Sequence, residues 1–244
     1  MNDEIYQLDE VPVMGRPHQA VQRNIVMAYE PLPDVNQNAE KLKQIQRLAT
    51  TVTAKMLPLY VKTNLSVPEQ FGLFVDRSAV KTQNNNFARL QWAFSFLQEH
   101  SEVASAAFCS ANEVQLLKNP FDEMALHKLY VADDFIAIAG LVIGNQVTPE
   151  TAAFLKQNRR LQALSNCLIL GDRSILLSCL GILIQKGQEY MHEFAQTDIS
   201  NQQLLALFNQ VAYSYFAAQL VHGRQVSSIL GFEQQHSDAW FKCR

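Results

Sequence analysis

Three amphipathic stretches follow one another between Thr148 and Gly223, and no proline occurs after Pro149. Apolar stripes at helical spacing, joined by connections this short, predict an antiparallel helical bundle. The first stretch opens with Thr148 as an N-cap and Pro149 at the first helical position, where a missing N–H costs nothing. Its stripe is Phe154, Leu161, Leu164 and Leu168, and Gly171 supplies the left-handed stop. Asp172 caps the second, which carries Leu176, Leu180, Leu183, Tyr190 and Phe194, with Gly187 in the gap as the mark of a close helix crossing. The third, capped from Asp198 or Ser200, carries Leu204, Phe208, Val211, Tyr215 and Ala218 and runs to Gly223. The long helices are therefore expected over about 149–170, 172–195 and 200–222.

Upstream the pattern is more broken. Residues 1–35 contain Pro12, Pro17, Pro31 and Pro33 with little periodicity, and read as an extended arm holding at most short strands or turns. Leu42, Ile45, Ala49, Val52 and Met56 give a helical stripe that Pro58 ends. A capping box from Ser66 to Glu69 heads a short helix through about Phe74. Phe87, Leu90, Phe94 and Leu97 follow as a helix to His100, and Ser110–Glu113 and Asn119–Pro120 open shorter pieces. The apolar runs Phe135–Gly144 and Ile175–Ile184 read as core helix, each far short of the roughly 20 residues that cross a bilayer. Only Leu59–Val61 and Val11–Met14 compete as strands. The predicted class is all-α: an antiparallel helical bundle with several shorter N-terminal helices. Its expected organisation is an arm over 1–35, one bundle domain over 36–230 and a C-terminal tail over 231–244.

Composition narrows the class of function. A hydrophobic fraction of 48% over 244 residues excludes global disorder. A formal net charge of −3 with pI near 6.1 argues against sequence-independent nucleic-acid binding, which needs clustered Lys and Arg. The start Met-Asn-Asp-Glu lacks the charged and apolar regions of a secretory signal, so a cytoplasmic protein is expected. Cys109, Cys167, Cys179 and Cys243 are widely spaced and read as buried free thiols.

Chemical motifs are sparse: there is no Gly-x-Ser-x-Gly elbow, no Lys-ending phosphate loop and no His-Glu-x-x-His. Glu189 and His192 stand in the Glu-x-x-His spacing used by di-metal bundles, but the partner pair, Glu123 and His127, is spaced four apart. Half a metal site has little affinity, so these four read as ordinary surface and no cofactor is expected. Asp133 and Asp134 read as the N-cap of the apolar run after them, with a carboxylate pair at a cleft as the alternative. Arg159 and Arg160 read as solvated charge, or as part of a basic strip for an acidic partner or phosphate. The tail carries Phe232, Trp240 and Phe241, which either dock on a partner or fold back on the chain. Together these point to a non-catalytic helical interaction protein, an adaptor or a subunit of a larger assembly, with protein partners and without nucleic acid. A metal-dependent oxidase or small-ligand-binding bundle is the alternative.

Overall fold

Asn24–Tyr29, inside the expected arm, reads NIVMAY, and five of its six residues are buried. An unbroken apolar run of this length suits a strand covered on both faces better than one with a wet side. The computed structural model describes residues 22–31, 38–78, 86–143, 146–228 and 238–243, and in it this segment is β1, near the middle of a seven-stranded sheet. In chain order the elements are β1 Asn24–Tyr29, α1 Asn38–Thr53, β2 Leu59–Lys62, β3 Leu73–Asp76, α2 Asn86–Glu99, β4 Ser105–Cys109, β5 Val114–Leu116, β6 Leu129–Ala137, α3 Pro149–Gln157, β7 Gln162–Asp172, α4 Arg173–Glu193, α5 Asn201–Tyr215, β8 Leu220–Val221, β9 Ser227–Ser228 and β10 Phe241–Cys243.

The large sheet has the order β3-β2-β1-β4-β7-β6-β8, and β5, β10 and β9 form a second, three-stranded sheet. Within the large sheet β1 is parallel to β2 and β4, β2 to β3, and β6 to β8, while β7 runs antiparallel to both of its neighbours. Alternation along β1 feeds two separate cores. Ile25, Met27 and Tyr29 join the core made with α2, α4 and α5. Val26 and Ala28 join the other, made with Ile45, Leu48 and Val52 of α1 and with Trp240 and Phe241 of the small sheet. Layers on both faces of a mainly parallel sheet are the α/β solution to burying such strands.

The all-α, helical-bundle expectation is thereby corrected to a mixed α/β fold. The stretch expected as one helix over about 149–170 is helical only as α3, and β7 occupies Gln162–Asp172. Its apolar spacing imitates a helix, but Leu168, Ile169 and Leu170 are buried consecutively, which a helix with one wet face does not do and a strand between two layers does. Gly171 is no helix stop: it lies in β7, where an added Cβ would meet Lys128 O at 2.8 Å and Ile175 Cγ2 at 2.6 Å. The Ser66–Phe74 helix does not form, and Leu73–Asp76 is instead the edge strand β3. The described part of the Phe135–Gly144 run, residues 135–143, is not core helix but includes the end of β6 and a 3₁₀ turn over Ile138–Gly140. Val11–Met14 lies outside the described residues.

Other local signals act as their chemistry dictates. Asp172 accepts from Ser174 N and Ile175 N at the start of α4, and Ser200 with Gln203 forms a capping box on α5. Gly187 lets α4 approach α2, since a Cβ there would stand 2.8 Å from Phe87 Cε2. Among the described residues no helix is long and apolar enough to cross a membrane.

The glycines provide a matched test. Gly171→Ala should destabilise the chain by about 1–3 kcal/mol, because a backbone oxygen cannot swing aside. Gly181→Ala, whose Cβ would meet only Phe94 Cε2 at 3.4 Å, should stabilise α4 by up to ~1 kcal/mol. Urea unfolding of the two variants measures both signs.

Candidate functional site

The direction in which successive strands are added to the sheet reverses at β1. From it the chain moves outward to β2 and β3, then returns to place β4 on the other side. At such a switch point the connections leaving two neighbouring parallel strands part in opposite directions, and a crevice opens beyond the strands' carboxyl ends. A cavity of about 430 Å³ lies there, between Tyr29, Glu30 and Pro31 after β1 and Ser110, Asn112 and Glu113 after β4. Asp133 and Asp134 of β6, Ser165 and Asn166 of β7, and the first turns of α2 and α5 complete its wall.

Each of these groups is held from behind. Glu30 is only 6% exposed; its carboxylate accepts Ala111 N at 2.8 Å and Lys41 Nζ at 3.0 Å, tying the β4–β5 turn to α1. Arg89 of α2 donates from Nη2 to Asn166 O at 2.7 Å and lies 4.8 Å over the Phe108 ring. Asn86 Nδ2 donates to Ile199 O at 3.1 Å, joining the start of α2 to the segment that leads into α5.

The β7 contribution depends on an irregularity. Val131 pairs with Ile169 but Ala132 pairs with Ser165, so residues 166–168 have no opposite number on β6. Just beyond the bulge, where β7 has run past its pairing with β4, the fully buried Asn209 of α5 accepts Leu164 N at 2.8 Å and donates to Leu164 O at 2.9 Å. The bulged backbone brings Ser165 and Asn166 to the cavity wall.

A second irregularity follows Asp133 on β6. Gln162 Nε2 bonds the carbonyls of Asp134 and Ile136. Asp133 Oδ1 accepts His222 Nδ1 at 2.7 Å, which fixes the proton on that nitrogen. Asp133 and Asp134 thus line a cavity rather than cap a helix, the alternative that the sequence left open.

The electrostatics are divided. Burial raises the Glu113 pKa from its ordinary value, against the opposing pull of Arg89, so this carboxyl keeps its proton to a higher pH than an exposed one. The hydrogen bond to Asp133 raises the pKa of His222. Cys243 of β10 reaches the cavity, and its thiol is hydrogen-bonded to Cys167.

The residues singled out from sequence are dispersed. Glu189 is half-exposed and paired with Lys186 at 3.1 Å, with His192 exposed nearby on α4. Glu123 accepts Trp240 Nε1 at 2.9 Å, and His127 is an exposed turn residue with φ 58°. Among the described residues no group of three or more His, Cys, Asp or Glu is placed to hold a metal ion. Trp240 and Phe241 are fully buried in the chain's own core, Arg159 and Arg160 are exposed in the turn between α3 and β7, and Phe232 lies outside the described residues. Sequence reasoning missed Glu30, Arg89, Glu113 and Asn166. The available signal was the apolar run Asn24–Tyr29 ending in Glu30-Pro31 ahead of a helical stripe and a second short strand, which is a β-α-β pattern.

No known protein family matches the chain, and no curated protein is similar to it.

The Asp133–His222 pair makes a pH prediction. The folded pKa of His222 lies above its ordinary 6.5, so the pair stabilises the fold below that value and the contribution is lost as pH rises through the raised pKa. Solvent at the His222 ring, 32% exposed, keeps the effect small. Asp133→Asn should therefore lower the melting temperature more at about pH 5.5 than at about pH 8.5, as differential scanning calorimetry across that range would record.

Proposed function

We propose that the cavity binds a phosphorylated, polyhydroxylated small molecule, with a nucleotide-linked sugar the best-fitting class, and that the chain is an enzyme transferring the sugar group. The observation that carries this reading is the convergence, at the switch point of the sheet, of Arg89 and the first turns of α2 and α5 with the carboxyl groups of Glu113, Asp133 and Asp134 around one cavity. Arginine beside helix starts suits phosphate oxygens. Carboxylates and the amides of Asn112, Asn166 and Gln202 suit ribose and hexose hydroxyls, which both donate and accept. Switch-point crevices of α/β sheets are recurrent nucleotide sites, a fold-level analogy that adds weight without deciding the chemistry.

In the transfer, an acceptor hydroxyl oxygen forms a bond to the anomeric carbon. The bond from that carbon to the phosphate oxygen breaks, and the nucleotide leaves with the electron pair. A cavity carboxylate takes the acceptor's proton. Arg89 offsets the charge gathering on the departing phosphate.

The interaction-protein expectation drew on the tail aromatics, and two of these, Trp240 and Phe241, are engaged within the chain's own core. The cavity is the stronger basis for function.

Calorimetric titration of the full chain with nucleoside diphosphates, nucleotide-linked sugars, sugar phosphates and free sugars tests the reading. Phosphate-bearing members should bind, and Arg89→Lys should weaken them about tenfold, the loss of one charge-assisted hydrogen bond. A chain that binds none of them, or binds free sugars equally well, contradicts it. For the enzymatic step, nucleoside diphosphate should be released from a nucleotide-linked sugar when acceptor sugars are added.

A further inference from the structure

Apolar side chains are exposed at the end of β6 and in the turns that follow it and precede β7. Phe135 directly follows the cavity residue Asp134 and is 56% exposed; Ile136 after it, and Val142 (73% exposed) and Leu161 in the two turns, are exposed as well. Large apolar groups clustered at a surface mark an interaction site more often than chance exposure does. The two turns are held side by side: Ile138 N donates to Leu161 O at 2.9 Å, Ala139 N to Arg159 O at 3.0 Å, and Ala137 pairs with Gln162. Ile136 folds against Gly140, where an added Cβ would meet it at 3.3 Å.

The second of these turns, together with the end of α3 that leads into it, is cationic. Lys156, Arg159 and Arg160 are all exposed within five residues, and among the described residues none of the three makes an ion pair. Glu150, the acidic residue of α3, is engaged by Lys186 at 2.8 Å and does not neutralise them. Apolar side chains that project beside unpaired cations match the two layers of an anionic membrane surface, acyl chains below and phosphate headgroups above.

We infer that this face, formed by the end of β6, the 138–142 turn, the end of α3 and the 158–161 turn, docks the protein on an anionic lipid membrane. Phe135, Ile136, Val142 and Leu161 enter the headgroup boundary while Lys156, Arg159 and Arg160 meet the phosphates. The protein lies on the membrane and does not span it. Docking sets the cavity mouth, through Asp134 beside Phe135, close to the bilayer surface, within reach of a lipid-borne co-substrate.

Co-sedimentation of the full chain with vesicles of phosphatidylcholine alone, or with about 30% phosphatidylserine, tests the proposal. The chain should sediment with the anionic vesicles and not the neutral ones, and less so as salt rises. Replacing Lys156, Arg159 and Arg160 together by Ala should reduce partitioning by at least about tenfold, at roughly fivefold for each charge. Phe135→Ser with Val142→Ser should also reduce it. All five residues are exposed, and melting curves confirm that each variant folds; should one fail, the lipid and salt dependence of the unaltered chain still decides. The proposal is overturned by no sedimentation with anionic vesicles, by equal sedimentation with both kinds, or by binding that survives both sets of substitutions. It is equally overturned if the face proves to join two copies, seen as a dimer that Val142→Ser disperses without any vesicle binding. Vesicle binding needs no occupant in the cavity, so this result and the ligand titration stand or fall separately.

Discussion

Burial of β1 on both faces is the constraint from which the rest follows. Its odd residues Ile25, Met27 and Tyr29 are committed to the α2–α4–α5 core, and its even residues Val26 and Ala28 to the core under α1 and the small sheet. A strand committed in this way needs a hydrogen-bonding neighbour at each edge, since unpaired backbone groups cannot be left inside. β2 supplies one edge and β4 the other, both parallel. Parallel neighbours on both sides, reached by connections that leave in opposite directions, open the crevice beyond Tyr29 and Cys109.

The chemistry of that crevice comes from departures from regularity around it. Glu30 is nine-tenths buried because it serves two masters, the Ala111 amide and the Lys41 ammonium, and so sets the turn that carries Asn112 and Glu113. β7 bulges where a regular ladder would have kept Ser165 and Asn166 in line, and Asn209 bonds both backbone groups of Leu164 where β7 extends past β4. These arrangements spend backbone regularity on placing polar groups. The cation, amides and carboxyl groups gathered there suit a ligand that carries both phosphate and hydroxyl groups.

Helix ends were legible in the sequence. Thr148 with Pro149, Asp172 and Ser200 each cap the helix expected of them, and the stripe of α1 buries Ile45, Ala49 and Val52. What misled was β7, where Leu161, Leu164 and Leu168 happen to repeat at helical intervals, while Leu168, Ile169 and Leu170 form the consecutive buried run of a strand. Short apolar runs carry no period that separates a buried strand from a buried helix. The small strands β8, β9 and β10, two or three residues each, had no signal at all, because their pairing is decided by distant partners. The site shared that fate: Glu30, Arg89 and Asn166 are far apart in the chain, and only Asp133 and Asp134 were visible, as the less favoured of two readings. Glu189 and His192, three apart in sequence and chemically suggestive, lie on an exposed helix surface.

The most direct test of the account is where a ligand touches the chain. Amide NMR spectra of the full protein titrated with a nucleoside diphosphate should show perturbations concentrated at Glu30, Ala111, Asn112, Ser165, Asn166, Asn201 and Gln202, the rim of the crevice between β1 and β4. Perturbations gathered instead at the end of α4 around Glu189 and His192, or none at saturating ligand, would contradict the assignment of function to the sheet's switch point.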